Sequence, residues 1–339
     1  MVGRWVRGTW ALTPTQTGIV NAPVAEDRRW LAVMATVTMV ELAWWAASRR
    51  AGLAPAPWLL TYLGLAFAGL AAAIALRKIL RPRAERSSWS SLVIGTALAG
   101  IGASFFLPLK FAIPKQIPFW LDAPLAAAER ALLTADPWLL LNLHLGWATL
   151  PLARLYGFWL PVQLLVLFMV MIEPPSRAKS RALIAYSLAW FVLGVVAAAL
   201  FSSAGPIFYD RSFGGREFAL LGETLRSRGA SMTIFESDTM WAAMTSDSPG
   251  LVSGISAFPS LHVAISLWIV LAVRAMAPRL AAVALAYFLL VWLASVQLGW
   301  HYVSDGFAGA IGMVAIWAVA GTVESFRIRP LQPRFQPSG

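Results

Sequence analysis

Residues 258–322 read FPSLHVAISLWIVLAVRAMAPRLAAVALAYFLLVWLASVQLGWHYVSDGFAGAIGMVAIWAVAGT. Three apolar runs, near 258–274, 279–297 and 302–322, are parted by Pro278-Arg279 and by the polar knot Gly299-Trp300-His301-Tyr302. Each run approaches the roughly 20 residues that carry a helix across a bilayer, and none alternates as a half-buried strand does. The stretch therefore predicts membrane-spanning helices. It also holds two of the chain's three histidines, His262 and His301, each at the mouth of an apolar run where an imidazole is costly without a partner.

Five further runs of the same kind precede it, near 30–48, 57–76, 90–109, 152–172 and 182–202. Of the 339 residues 59% are hydrophobic and 13% charged, too apolar a balance for an ordinary soluble domain. The expected fold is all-α, a polytopic membrane bundle of about eight transmembrane helices. Cysteine is absent, which removes a disulfide frame and any thiolate metal site. The net charge of +11 accumulates at the ends of apolar spans, the topology pattern of membrane proteins, and no basic aromatic platform for nucleic acid accompanies it. The first 29 residues are polar and Arg-bearing, with no apolar core of a cleavable signal.

An even number of spans returns both termini to one side. That side carries 17 of the 27 Lys and Arg residues, including those of the short loops 77–89 and 173–181, against 10 on the other. The positive-inside rule then expects cytoplasmic termini in the inner (cytoplasmic) membrane, with His262 and His301 together on the extracytoplasmic face. Residues 117–141, with Trp120, Trp138 and several prolines, are expected to lie along the interface rather than cross. His144 follows them and reads as structural or interfacial, having no acidic residue at helical spacing.

The connection 203–256 is the longest and faces the histidines; such loops are usually lids or binding elements, and helical pieces are expected near 216–227 and 236–245. The chain thus divides into an N-terminal arm with two accessory helices (1–89), a six-helix core (90–322) and a disordered cytoplasmic tail (323–339).

The chemistry is concentrated in a few side chains. In His301-x-x-x-Asp305 the four-residue spacing puts both groups on one helix face, so the carboxylate can fix the imidazole tautomer and leave the other nitrogen free to attack. Ahead of His262, Pro259 suits a first helical turn, and Ser260 adds a hydroxyl beside the unpaired N–H groups of a helix start, a natural anion site.

Ala257-Phe258-Pro259-Ser260-Leu261-His262 followed by Gly299-Trp300-His301-Tyr302-x-x-Asp305 resembles the second and third signatures of the type 2 phosphatidic acid phosphatase superfamily. The likeness is greatest to its inositolphosphotransferase branch, which contains inositol phosphorylceramide synthase, and covers roughly residues 90–322. The resemblance implies that His301 attacks phosphorus to give a phosphohistidine, that Asp305 orients it, and that His262 protonates the leaving oxygen; no cofactor or metal is implied. A lipid-linked phosphate donor in the bilayer and a hydroxyl-bearing acceptor, or water, would be the partners, with no nucleic acid and the oligomeric state open.

Three departures from the family pattern bear on the substrate. Leu261 stands in place of a glycine, Ala294-Ser295 in place of Ser-Arg, and the first, Lys- and Arg-bearing signature is missing after the fifth span. Phosphate charge is then expected to be met by Arg211, Arg216, Ser260 and backbone N–H groups, with Lys110 and Lys115 next, and with Tyr209 and Tyr302 as further substrate contacts.

The expected function is that of a membrane lipid phosphotransferase. A lipid phosphate or polyprenyl (pyro)phosphate phosphatase is the alternative. A transporter using His301 and Asp305 as a proton relay is a reading of a different class, and a His/Asp metal site a rival chemistry. Glu41, alone in the middle of the first span, is left without a role.

Overall fold

The structure, a computed structural model, describes residues 22–52, 57–81, 85–246 and 254–325. The expected N-terminal arm as far as residue 21 and the tail from residue 326 lie outside the described residues.

All elements among the described residues are helical. Helices α1 (Ala22–Arg50), α2 (Leu59–Leu80) and α3 (Trp89–Gln116) are followed by α4 (Asp122–Leu133) and α5 (Pro137–Leu145), then α6 (Thr149–Gly157) and α7 (Trp159–Ile172). Next, α8 (Arg177–Phe191) runs through a π-helical stretch, Val192–Ala197, into the short α9 (Ala198–Leu200). The long connection folds as α10 (Pro206–Phe213), α11 (Ala219–Ser227) and α12 (Ser231–Thr245), of which the sequence announced the last two. The chain ends with α13 (Leu261–Met276), α14 (Ala281–Gln297) and α15 (Val303–Ser325).

Each of the eight expected spans is helical, and among the described residues six helices are long and apolar enough to cross a membrane. The other two differ from the expectation. The fourth breaks at Phe158, where the helical pair 137–157 and 159–172 bends by 44°. The sixth, α13, has 16 residues. At 1.5 Å per residue it rises about 24 Å, less than the roughly 30 Å of a hydrocarbon core, because Pro259 and the capping Ser260 start the helix late.

Serines set other starts too. Ser88 accepts the Ser91 N–H at 3.2 Å to open α3, and Ser176 accepts the Lys179 N–H at 3.2 Å to open α8.

Helix α13 is central, packed on α7, α8, α14 and α15; α1 and α2 lie against α3, and reach the rest through α8 and α7 respectively. Ion pairs tie one end of the bundle. Glu173, after α7, takes Arg77 of α2, and Arg81 at 3.6 Å, while Glu324 near the end of α15 takes Arg29 at 3.5 Å and Arg177 at 3.7 Å. Buried Lys179 binds Ser87 there as well. The starts of α13 and α15, and with them the two histidines, lie at the opposite end. Glu41 is buried on α1 and faces Gly102 of α3.

A buried amide network fixes the approach to the second histidine. Asn142 donates to the carbonyls of Trp138 and Gln297, both at 2.8 Å, and Thr149 donates to Asn142 Oδ1 at 3.0 Å. Gln297 donates to the Leu145 carbonyl at 3.0 Å and to Thr149 Oγ1 at 2.8 Å. These bonds clamp α5 and α6 to the last turn of α14, four residues before His301. Asn142→Leu leaves the Gln297 carbonyl and the Thr149 hydroxyl short of partners, at about 1–3 kcal/mol each. The variant is expected to unfold several degrees earlier in a detergent thermal melt; an unchanged melting temperature contradicts a structural role for the network.

Candidate active site

His301 lies in the tight turn between α14 and α15. Its backbone N–H donates to the Ser295 carbonyl at 3.2 Å, so the last turn of α14 fixes its position. On the ring, Nδ1 is 3.3 Å from Oδ2 of Asp305, in the first turn of α15. The same oxygen accepts the Tyr302 N–H at 2.9 Å, which locks the carboxylate in place. With Nδ1–H donating, the Nε2 lone pair is free. Both groups are buried, His301 at 5% exposure and Asp305 at 0%, so the carboxylate acts with little solvent screening.

His262 occupies the first turn of α13. Ser260 caps that helix, accepting the Val263 N–H on its hydroxyl at 3.3 Å, and donates its own N–H to the Asp305 carbonyl at 3.0 Å. Its hydroxyl proton stays available to an anion. The close approach needs Gly309 on α15, where a Cβ would stand 2.4 Å from the Ser260 carbonyl oxygen. The His262 ring is stacked on Tyr156 of α6 at 4.5 Å and leans on Trp159 of α7 at 4.2 Å. Its centroid is 5.8 Å from that of His301. Two imidazoles at that separation can serve one phosphorus atom between them.

A second carboxylate holds the surrounding loops together. Asp122, the first residue of α4 and fully buried, accepts from the Ser203 hydroxyl at 3.1 Å and from the N–H groups of Ala204 at 2.8 Å and Gly205 at 2.7 Å. Burial pushes its pKa up, and these hydrogen bonds work against that rise. Gly205, at φ +91°, passes so close to the Trp300 carbonyl oxygen that a Cβ would stand 2.4 Å from it. The Ile207 N–H bonds the Gly299 carbonyl at 2.8 Å and the Ala257 N–H bonds the Ser203 carbonyl at 2.7 Å. Segments 203–207, 254–260 and 299–305 thus form one knot.

An ordered pair of histidines, one oriented by a carboxylate and the other at a capped helix start, agrees with the family match found for the chain. It matches the PAP2 superfamily over residues 123–319, more than half of its length. The chain belongs to the PAP2 superfamily. It is a membrane phosphatase or phosphotransferase with lipid substrates. The match reaches the superfamily and not its inositolphosphotransferase branch. Comparisons with curated proteins and with solved structures give no match.

Around the two histidines the other expected residues fall in different places. Arg211 is ion-paired with Asp238 of α12, and Arg216 is exposed between α10 and α11. Among the described residues neither makes a hydrogen bond to His262, His301 or Ser260. Tyr209 is packed between Phe213 at 4.9 Å and Phe218 at 4.8 Å. Tyr302 is buried beside His301, where burial first and the charge of Asp122 second raise its phenol pKa. His144 is exposed on α5.

The candidate site also contains Tyr156 and Trp159, which no sequence expectation named, while Lys110 was named only after Arg211 and Arg216. Tyr156 and Trp159 stood three residues apart on one helical face, which was the available signal, but aromatic residues at span ends read first as interface anchors. Lys110, near the end of α3, lies beside the segment 254–260 that leads into α13 and His262. Gly254 rests on its aliphatic stem, and its Nζ is 6.0 Å from the Phe106 ring centroid. Among the described residues it makes no hydrogen bond or ion pair.

Proposed function

We propose that the protein is a lipid phosphotransferase that works through a phosphohistidine on His301. The observation that carries this reading is the pairing of His301, held by Asp305, with His262 across 5.8 Å at one end of the bundle. In the first half-reaction His301 Nε2 forms a bond to the donor's phosphorus, the bond to the lipid oxygen breaks, and His262 gives that oxygen its proton. In the second, an acceptor hydroxyl forms a new P–O bond, the P–N bond breaks with its electron pair returning to Nε2, and His262 takes the hydroxyl proton. The same steps with water give a phosphatase.

Ser260, the open N–H groups of the first turn of α13 and Lys110 would hold the phosphate oxygens, with Arg211, Arg216, Tyr209 and Tyr302 meeting the headgroup from the outer helices. The burial of His301 and the cover of α4, α5 and residues 203–246 support transfer over hydrolysis, since excluding water favours the bound acceptor. The short α13 supports a site about one helical turn below the membrane surface, reached sideways by a donor whose tail stays in the bilayer.

The test uses labelled donor and purified protein in lipid nanodiscs with rising acceptor. Transfer product is expected to grow at the expense of inorganic phosphate; free phosphate alone with every acceptor selects the phosphatase.

The extracytoplasmic placement of the site, in the inner membrane and with cytoplasmic termini, rests on the Lys and Arg asymmetry. In this chain without cysteines, Ser227→Cys on α11 and Lys78→Cys on α2, both exposed, lie at opposite ends. An impermeant maleimide is expected to label the first in intact cells and the second only after lysis. The reverse order inverts the topology.

A further inference from the structure

Glu129, on α4, is 6% exposed, and its Oε1 accepts both the N–H and the hydroxyl of Ser304 at 2.8 Å. Its other oxygen, Oε2, is buried with no hydrogen-bond partner among the described residues. So is the indole Nε1 of Trp138 on α5, a residue 3% exposed. Both side chains line one small cavity together with His301, Tyr302 and Pro206. Its volume of about 10 Å³ admits one hydroxyl-sized group.

The Tyr302 hydroxyl, on a third lining residue, is likewise unpaired among the described residues; buried polar atoms are normally paired, so these atoms around one cavity describe what fits it, the carboxylate and the indole most narrowly because the phenol can donate or accept. A carboxylate oxygen only accepts and an indole N–H only donates. A hydroxyl satisfies both. An ammonium accepts nothing, and an ionised phosphate donates nothing and is repelled by the carboxylate. His262 does not line this cavity, whereas the reacting hydroxyl must reach His262 to lose its proton. The cavity is therefore suited to a hydroxyl other than the one that attacks.

We propose that this cavity is a subsite for a second hydroxyl of the acceptor, so that the acceptor is a polyol rather than a simple alcohol, with Glu129 and Trp138 as its specificity-determining residues. This rests on the phosphotransferase reading above. Ser304, already bound to Oε1, holds the carboxylate in position.

The experiment measures partition in nanodiscs with dioctanoyl phosphatidate as donor and glycerol or methanol as acceptor. For each acceptor the ratio of transfer product to inorganic phosphate is plotted against acceptor concentration; the slope does not depend on how much enzyme is active. Glu129→Gln keeps an oxygen for Ser304 and turns Oε2 into a donor, and Trp138→Phe removes the N–H while keeping an aromatic ring. In both variants the glycerol slope divided by the methanol slope is expected to fall, by about tenfold for Glu129→Gln, where a charged hydrogen bond is lost. An unchanged quotient in Glu129→Gln overturns the subsite and leaves Glu129 as a cap on α15. Wild-type protein that releases inorganic phosphate alone with both acceptors defeats the phosphotransferase reading itself, an outcome visible before any variant is compared.

Discussion

His301→Ala is expected to abolish both turnover and the acid-labile phosphoenzyme, while His262→Ala slows turnover by about a hundredfold to ten-thousandfold, the usual contribution of a general acid. The two losses differ in kind. Without His301 no nitrogen is placed to form the P–N bond. Without His262 the bond can still form, but the lipid oxygen leaves unprotonated. His262→Ala is therefore expected to recover most of its lost rate with a nitrophenyl phosphate, whose leaving group needs no proton, whereas His301→Ala stays inactive with every donor. The measurement is trapping of labelled phosphoenzyme by acid quench, read beside steady-state rates. A phosphoenzyme that persists in His301→Ala moves the nucleophile elsewhere.

The second large effect is expected at Lys110. Its ammonium group has no hydrogen bond or ion pair among the described residues, and its stem lies against Gly254, on the segment that leads into α13 and His262. Arg211, by contrast, is paired with Asp238. A charged hydrogen bond to a phosphate oxygen is worth about 1.5–3 kcal/mol, so Lys110→Met is expected to lower kcat/KM by about tenfold to a hundredfold. Lys110→Arg keeps the charge on a bulkier head and is expected to recover part of the loss. Arg211→Met with Arg216→Met is the contrasting variant. If that pair loses activity while Lys110→Met works as wild type, the phosphate cradle lies on the outer helices, where the sequence first placed it.

The arginine expectation shows where sequence reasoning stopped. Arg211 and Arg216 follow the fifth span on the side of the histidines, but a position in the chain says nothing about which acidic group lies across a loop. Asp238 is 27 residues further on. Lys110 was one of two lysines near the end of the third span, and nothing local to it distinguishes it from Lys115. The break at Phe158, by contrast, had a local signal: Gly157 and Pro161 fall inside 152–172, and a proline lacks the helical N–H and crowds the carbonyl four residues back, here that of Gly157.

The sequence by itself determined the class of fold, the eight helical segments, the common end of the two histidines and the pairing of His301 with Asp305. The first three follow from local rules, apolar runs of membrane length and alternation of spans; the last was expected from the helical repeat, yet His301 lies in the turn before α15 and meets Asp305 of its first turn from there. Only the tertiary structure decided what surrounds them. Tyr156 and Trp159 lie against His262 from more than 100 residues away in the chain, Asp122 gathers 203–205 across 81 to 83 residues, and Glu129 reaches Ser304 across 175. Such partners depend on how each helix is turned about its axis and at what height it meets its neighbour. In a chain apolar on nearly every face, hydrophobic periodicity leaves that rotation undetermined, and it is set by the few buried polar groups that must find one another.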